Sequence, residues 1–118
     1  MKKITVKRTR INGEVQKELS QILGNLKDPR IHKMTTVTAV EVTKDLHYGK
    51  IYISVLANED EQKQTIQGLN QASAYIRREL AQSLNLRNTP ELTFVLDQSI
   101  EYGVNMLKKI QEVNADLT

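Results

Sequence analysis

The chain has 118 residues, enough for one domain with a hydrophobic core, and two independent cores are not expected at this length. Hydrophobic residues make up 39% and charged residues 26%, an ordinary balance for a folded protein, and no apolar run is long enough to span a membrane. The absence of cysteine excludes disulfides, thiolate nucleophiles and iron–sulfur sites. No apolar segment follows the basic start, so we expect no signal peptide and a cytoplasmic location.

Positive charge is concentrated in the first half of the chain. Residues 1–58 carry eleven Lys and Arg against five Asp and Glu, a net of +6, whereas residues 59–118 carry six against nine, a net of −3. A basic half favours a polyanionic partner, because each phosphate that is neutralised releases condensed counterions. The alternative is a solvated surface whose basic residues happen to fall early in the chain, and charge alone does not decide between the two.

The first half of the chain predicts a helix followed by a β-hairpin. Apolar residues at steps of three and four between Ile4 and Leu26 indicate one helical stripe, which Gly13 weakens and Pro29 ends. Residues 35–43 are rich in β-branched side chains, and residues 50–56 alternate apolar with mixed ones, so each segment predicts a strand. Residues 44–49 form the predicted turn between them. Asn58 and the acids after it predict the start of the next helix.

The second half predicts further helix, a third strand and a last helix. The stripe from Ile66 to Leu84 contains small residues at its centre, which indicates either two helices meeting at an angle or one helix packed closely on a neighbour. Residues 92–96 form the third strand, with Phe94 predicted in the core, and a last helix is expected from Ser99. The order predicts a single α+β domain over residues 1–118, with a three-stranded sheet covered by helices.

Groups for catalysis or metal binding are missing from the sequence. His32 and His47 stand fifteen residues apart with no second histidine at a ligand spacing, and no phosphate-binding glycine loop or nucleophile elbow occurs. The consecutive acids at residues 59–61 point in different directions on a helix and are interpreted as an electrostatic cluster in its first turn. We therefore expect no enzyme, no metal site and no cofactor.

Basic side chains offer candidate contacts to RNA phosphates. They crowd the start and the far end of the first helix and border the second helical region. The five aromatic residues form no paired stacking platform, which favours recognition of the RNA backbone over base-by-base recognition. The candidates are Lys7, Arg8, Arg10, Lys27, Arg30, Lys33, Arg77, Arg78 and Arg87.

Several segments resemble the bacterial ribosome-binding factor A family. The similarity runs collinearly over about residues 6–110 and is specific because the blocks occur in this order with these spacings. The blocks are Glu18–Leu23 with Lys27–Ile31, Thr36–Leu46, Lys50–Leu56, Ile76–Ala81, Leu86–Arg87, Pro90–Phe94 and Asp97–Gly103.

The resemblance implies a type II KH-like domain of order α-β-β-α-α-β, followed here by the C-terminal helix. It also implies an assembly factor that binds the precursor of the small (30S) ribosomal subunit and assists late maturation of 16S rRNA, including its 5′ end. The family matters most in the cold and is expected to act as a monomer, with other assembly factors as further partners. Its members replace the Gly-x-x-Gly loop of KH domains by an Ala-x-Gly kink. Here Ala72, Ser73 and Ala74 occupy that position, with alanine in place of glycine, so a milder kink or one imposed by packing is expected.

Two other classes of function define the alternatives. A small protein-interaction or regulatory α+β module would carry its basic face incidentally and would be expected to form homodimers. A nuclease or phosphodiesterase would need a cluster of carboxylates or histidines that the sequence does not show.

Overall fold

The computed structural model describes residues 9–97, which form three helices and a three-stranded sheet in the order α-β-β-α-α-β. The resemblance predicted this order, and the periodicity predicted it except for whether residues 66–84 form one helix or two. The predicted C-terminal helix, like residues 1–8, lies outside the described residues. In chain order the elements are α1 (Arg10–Asn25), β1 (Thr35–Val42), β2 (Tyr48–Val55), α2 (Glu59–Gln71), α3 (Ser73–Ser83) and β3 (Glu91–Leu96).

Helix α1 begins at Arg10 because Thr9 caps it. The Thr9 backbone is extended, and its hydroxyl oxygen accepts a hydrogen bond from the backbone N–H of Asn12 at 3.0 Å. Of the predicted stripe, Val15 and Leu19 are fully buried. The helix ends at Asn25, three residues before the turn at Asp28–Pro29.

The sheet has strand order β1-β2-β3, with β1 antiparallel to β2 and β2 parallel to β3. The hairpin is tighter than predicted, because β2 begins at Tyr48 rather than at residue 50. The N–H of Thr43 donates to the carbonyl of Tyr48 at 2.9 Å, and Gly49 pairs with Val42, so the ladder continues to the turn. Leu46 in that turn has a φ of 61°, a left-handed conformation unusual for leucine, and its side chain is buried.

One face of the sheet forms the core with the three helices. Val40, Ile51 and Phe94 are paired across the three strands and are all buried, so they share the covered face. Helix α1 packs on β1 and α3, whereas α2 and α3 pack on β3. Phe94 is 1% exposed, which places it in the core as the alternation predicted.

Two asparagines attach helices to the edge strands. Asn70 of α2 accepts from the backbone N–H of Phe94 at 2.9 Å and donates to the carbonyl of Phe94 at 3.0 Å. On the other edge, buried Asn12 of α1 accepts from the N–H of Val42 at 3.0 Å. Edge backbone groups that would otherwise lack a protein partner are thereby satisfied.

Helix α2 approaches the loop after α1 closely at Gly68. A Cβ built on Gly68 would lie 3.1 Å from the Cβ of Arg30, tighter than most contacts between carbon atoms. Thr65, one turn earlier and fully buried, accepts from the backbone N–H of His32 at 3.1 Å. The 28–32 segment is therefore held against α2 along one turn of helix, which fixes the position of the loop that carries Lys27 and Arg30.

Candidate nucleic-acid interface

The turn after α1 is organised by Asp28. Its Oδ1 accepts from the backbone N–H of Arg30 at 2.9 Å and from Arg30 Nε at 3.0 Å, and its Oδ2 accepts from Arg30 Nη2 at 2.6 Å. The other guanidinium nitrogen of Arg30, Nη1, donates to Oε1 of Gln71, the last residue of α2. Arg30 thus joins the turn to the end of α2 and remains 44% exposed. Its guanidinium is held in one orientation at the surface.

The Asp28–Arg30 pair shifts the ionisation of both groups. Hydrogen bonds from the Arg30 side chain and backbone, together with its positive charge, lower the pKa of Asp28 to about 2 from an ordinary value of 3.8. The same carboxylate raises the pKa of Arg30. Both groups are therefore charged at neutral pH, and the pair itself is electrically neutral.

Replacing Asp28 by asparagine is expected to remove part of the acid sensitivity of the fold. Because the pKa of Asp28 is lower in the folded state, its stabilising contribution is complete above about pH 4 and is lost as the pH falls toward 2. Wild type should be more stable than Asp28→Asn at pH 7, and the difference should shrink between pH 4 and pH 2. Urea unfolding at these pH values measures this difference in the free energy of unfolding. A difference that stays constant down to pH 2 would contradict the lowered pKa of Asp28.

An open cleft of about 720 Å³ lies between this turn and the junction of α2 with α3. Two of the predicted RNA contacts, Lys27 and Arg30, line it together. Tyr75, the third residue of α3, also lines the cleft and is 48% exposed. The remaining lining residues are Asn25, Leu26, Asp28, Pro29 and Ala72. Among residues 9–97, Lys27 forms no ion pair, so its charge is available to an anion.

A second, smaller groove of about 170 Å³ lies between α1 and α3 and shares Tyr75 with the first. Its wall carries two acids, Glu18 of α1 and Glu79 of α3. The two grooves therefore differ in charge: Lys27, Asp28 and Arg30 give the first a net charge of +1, whereas Glu18 and Glu79 give the second a net charge of −2. An anion is attracted more strongly to the first groove than to the second.

The junction between α2 and α3 falls within the segment predicted to kink. The helices are separate, with one residue, Ala72, between them at φ −92° and ψ 6°. The N–H of Ala72 donates to Gly68 and the N–H of Ile76 to Ala72, both at 3.0 Å, so helical hydrogen bonds flank the break. Ser73 and Ala74 belong to α3. No positive φ is needed here, which explains how the break forms without glycine.

The other predicted contacts do not join Lys27 and Arg30 at the cleft. Arg10 lies at the opposite end of α1, about 24 Å away along a 16-residue helix, and pairs with Glu14 at 3.2 Å. Arg77 donates to the carbonyl of Thr89 through Nη2 at 2.8 Å and Nε at 3.1 Å. Lys33, Arg78 and Arg87 are exposed, and Lys7 and Arg8 lie outside the described residues.

Sequence reasoning missed two features of this region. Tyr75 was counted among scattered aromatics, although its place next to the small-residue segment was a signal that it borders the junction. His32 lies in the loop before β1, and its contacts were not predicted: its Nε2 lies 3.1 Å from Oε2 of Glu61 on α2, and its Nδ1 accepts from the N–H of Met34 in the same loop at 3.0 Å.

Over residues 9–97, no three histidine or acidic side chains come together as metal ligands would. None of the helices in that range combines the length and the hydropathy needed to cross a bilayer.

Comparison with protein families identifies the relatives of the chain. The family model described as ribosome-binding factor A matches residues 7–110. The chain belongs to the ribosome-binding factor A family. The resemblance that the motifs indicated over residues 6–110 is thereby confirmed.

Individual relatives agree with this family. Ribosome-binding factor A of Lachnospira eligens is 63% identical over 114 residues, which cover 96% of this chain and 88% of that protein. The solution structure of a candidate ribosome-binding factor A from Thermotoga maritima is 38% identical with a TM-score of 0.68, covering 77% of this chain and 87% of that one.

A third relative is a homology model of the Thermus thermophilus factor, fitted into an electron cryo-microscopy map of a 30S complex with that factor. It has a TM-score of 0.65 at 23% identity, covering 78% of this chain and 97% of that one, and shows likeness in fold.

The predicted α+β, KH-like fold is confirmed by these neighbours. The family is one of ribosome-binding factors and is not known as an enzyme family, which confirms the prediction that the chain is not an enzyme.

Proposed function

We propose that this chain is an assembly factor that binds the precursor of the small ribosomal subunit and assists late maturation of 16S rRNA, including its 5′ end. Membership of the ribosome-binding factor A family supports the proposal. The Thermus thermophilus relative described in a 30S complex supports the small subunit as the partner. The factor acts without a cofactor, as a monomer in the cytoplasm alongside other assembly factors, and is needed most at low temperature.

The observation that carries the proposal is the cleft where Lys27 and Arg30 converge beside the α2–α3 junction. Lysine offers a mobile point charge, and the guanidinium of Arg30 is already oriented by Asp28 and Gln71. An oriented guanidinium loses less side-chain entropy when it binds a phosphate oxygen. Lys27 supplies the principal charge for ribosomal RNA, and Arg30, whose charge Asp28 balances, offers the remaining N–H groups of its guanidinium.

The remaining basic residues make further phosphate contacts in this proposal. Arg10 lies at the far end of α1, so an RNA surface would have to extend along the helix to reach it together with the cleft. Arg77 already satisfies the carbonyl of Thr89, and its contact with RNA is the weakest of the set. The other proposed contacts are Lys7, Arg8, Lys33, Arg78 and Arg87.

The mechanism follows from binding energy alone. The factor binds one conformation of an RNA region more tightly than another, and it shifts the equilibrium by that difference in affinity. Release then requires a change in the particle that weakens the preferred conformation, because the factor consumes no energy of its own.

Replacing Lys27 by alanine tests the proposal. We expect weaker association with small-subunit precursors in co-sedimentation, and a plot of log affinity against log salt whose slope is smaller by about one unit, because one phosphate contact is lost. Lys17→Ala is the matched control, since Lys17 is exposed on α1, the helix that precedes Lys27, and does not line the cleft.

Two outcomes would contradict the proposal. Equal association and equal salt slopes for Lys27→Ala and Lys17→Ala would remove the cleft from the interface. Failure of the wild-type chain to sediment with small-subunit precursors, together with homodimers in solution, would favour a protein-interaction module with an incidental basic face.

A further inference from the structure

Tyr75 exposes an aromatic ring at the protein surface, in a chain that has only five aromatic residues. Its side chain is 48% exposed, although Ile76 next to it is fully buried and fixes the orientation of this turn of α3. The cleft beside it has apolar walls from Leu26, Pro29 and Ala72. An exposed ring next to a shallow apolar wall offers a flat surface on which another ring can stack.

The charges around Tyr75 are arranged on opposite sides. The first groove contains Lys27 together with the Asp28–Arg30 pair, a net charge of +1, whereas the second contains Glu18 and Glu79, a net charge of −2. A nucleic-acid strand that places a base on Tyr75 must therefore run its phosphates along the Lys27 side. The acids exclude the opposite path, because a phosphate there would face two carboxylates.

We propose that the cleft is a subsite for one unpaired RNA base, which stacks on the ring of Tyr75 while its neighbouring phosphates contact Lys27 and Arg30. This inference rests on the proposed function, because it specifies which form of RNA the cleft takes. A base within a duplex has both faces covered by its neighbours, so only a single-stranded or extruded nucleotide can offer a free face.

The subsite is held in place before RNA arrives. Asp28 and Gln71 orient Arg30 on one wall, and the α2–α3 junction at Ala72 sets the start of the helix that carries Tyr75. The ring and the Arg30 guanidinium therefore occupy fixed relative positions, and the mobile side chain of Lys27 can adjust to a phosphate, so that one nucleotide can engage all three. The sequence-based preference for backbone recognition is extended by one base contact.

The test compares two RNA probes of equal charge. One is a fluorescein-labelled single strand of about nine nucleotides, a length within the usual range of single-strand sites. The other is the same strand with the bases of its central half removed and all its phosphates kept. We expect the full chain to bind the intact strand about tenfold more tightly in fluorescence anisotropy, since stacking is the only contact that the second probe lacks.

Substitutions of Tyr75 assign the preference to its ring. Tyr75→Ala should bind both probes equally, with affinity for the base-depleted strand unchanged, and Tyr75→Phe should keep the preference. Tyr48→Ala is the matched control, because Tyr48 is 60% exposed and lies outside the cleft. Tyr75 is half-exposed, so its removal is not expected to unfold the chain, and circular dichroism verifies this.

Each outcome separates this inference from the proposed function. Equal affinity of the wild type for the two probes, or a preference that survives Tyr75→Ala, overturns base stacking, while Lys27→Ala weakening both probes would still support phosphate binding. If neither probe binds, the subsite for an unpaired base is wrong, and co-sedimentation with small-subunit precursors tests the proposed function independently.

Discussion

Replacing Phe94 by alanine is expected to lower the free energy of unfolding by about 3–5 kcal/mol. Among residues 9–97, Phe94 is the largest of the fully buried side chains, and it pairs with Ile51 on the central strand. Its removal takes apolar contacts from all the elements that meet there and leaves a cavity that a close-packed core closes only in part. Domains of this kind are stable by roughly 5–15 kcal/mol, so the loss is a large share of the total.

Urea unfolding followed by circular dichroism measures this loss. Thr93→Ala is the control on the same strand, because Thr93 is exposed on the opposite face and its substitution should change stability by no more than about 0.5 kcal/mol. A loss for Phe94→Ala no larger than that of Thr93→Ala would contradict the position of Phe94 in the core.

Replacing Asn70 by alanine is expected to cost about 1–2 kcal/mol. The Asn70 side chain both accepts from and donates to the backbone of Phe94, so it acts on β3 as a neighbouring strand would. Alanine leaves the N–H and the carbonyl of Phe94 without these partners. Because Asn70 is exposed, water can reach this site and replaces part of the lost hydrogen bonding to Phe94.

Amide hydrogen exchange gives a local measurement of this effect. The amide of Phe94 should exchange faster in Asn70→Ala than in the wild type, and faster than in Gln67→Ala, which changes an exposed residue on the same helix. Unchanged protection of the Phe94 amide would show that the two hydrogen bonds do not stabilise the edge of the sheet.

The sequence predicted most of the fold because the core-facing positions follow simple periods. Val15 and Leu19 recur at helical spacing, and Leu92 and Phe94 at strand spacing, and all four are buried. The helix caps were also local signals: the side chain of Asn58 accepts from the N–H of Glu61 at 2.8 Å, as its position before three acids predicted.

Boundaries were less accurate where pairing between strands decided them. Tyr48 and Gly49 were predicted within the turn at residues 44–49, yet both belong to β2, since Gly49 is paired on both sides with Val42 and Leu92. Leu56 was predicted as part of the strand and lies beyond it, 64% exposed.

The candidate site was predictable only as a set of residue types. The sequence shows which residues are basic. It does not show which of them lie together, because that depends on which helix ends meet in the fold. The fold brings Lys27 and Arg30 to one cleft, leaves Arg10 at the far end of α1 and binds Arg77 to a carbonyl. Asp28 and Gln71 are far apart in the sequence, yet both hold Arg30.

The order of elements, the apolar faces and the absence of a thiol follow from the sequence by itself, because periodicity and composition are properties of neighbouring residues. The cleft at Tyr75, the break at Ala72 without glycine and the edge contacts of Asn70 are decided by tertiary structure. The physical reason is that these features depend on groups that packing brings together from different elements. Packing determines which charges and rings lie side by side at the surface.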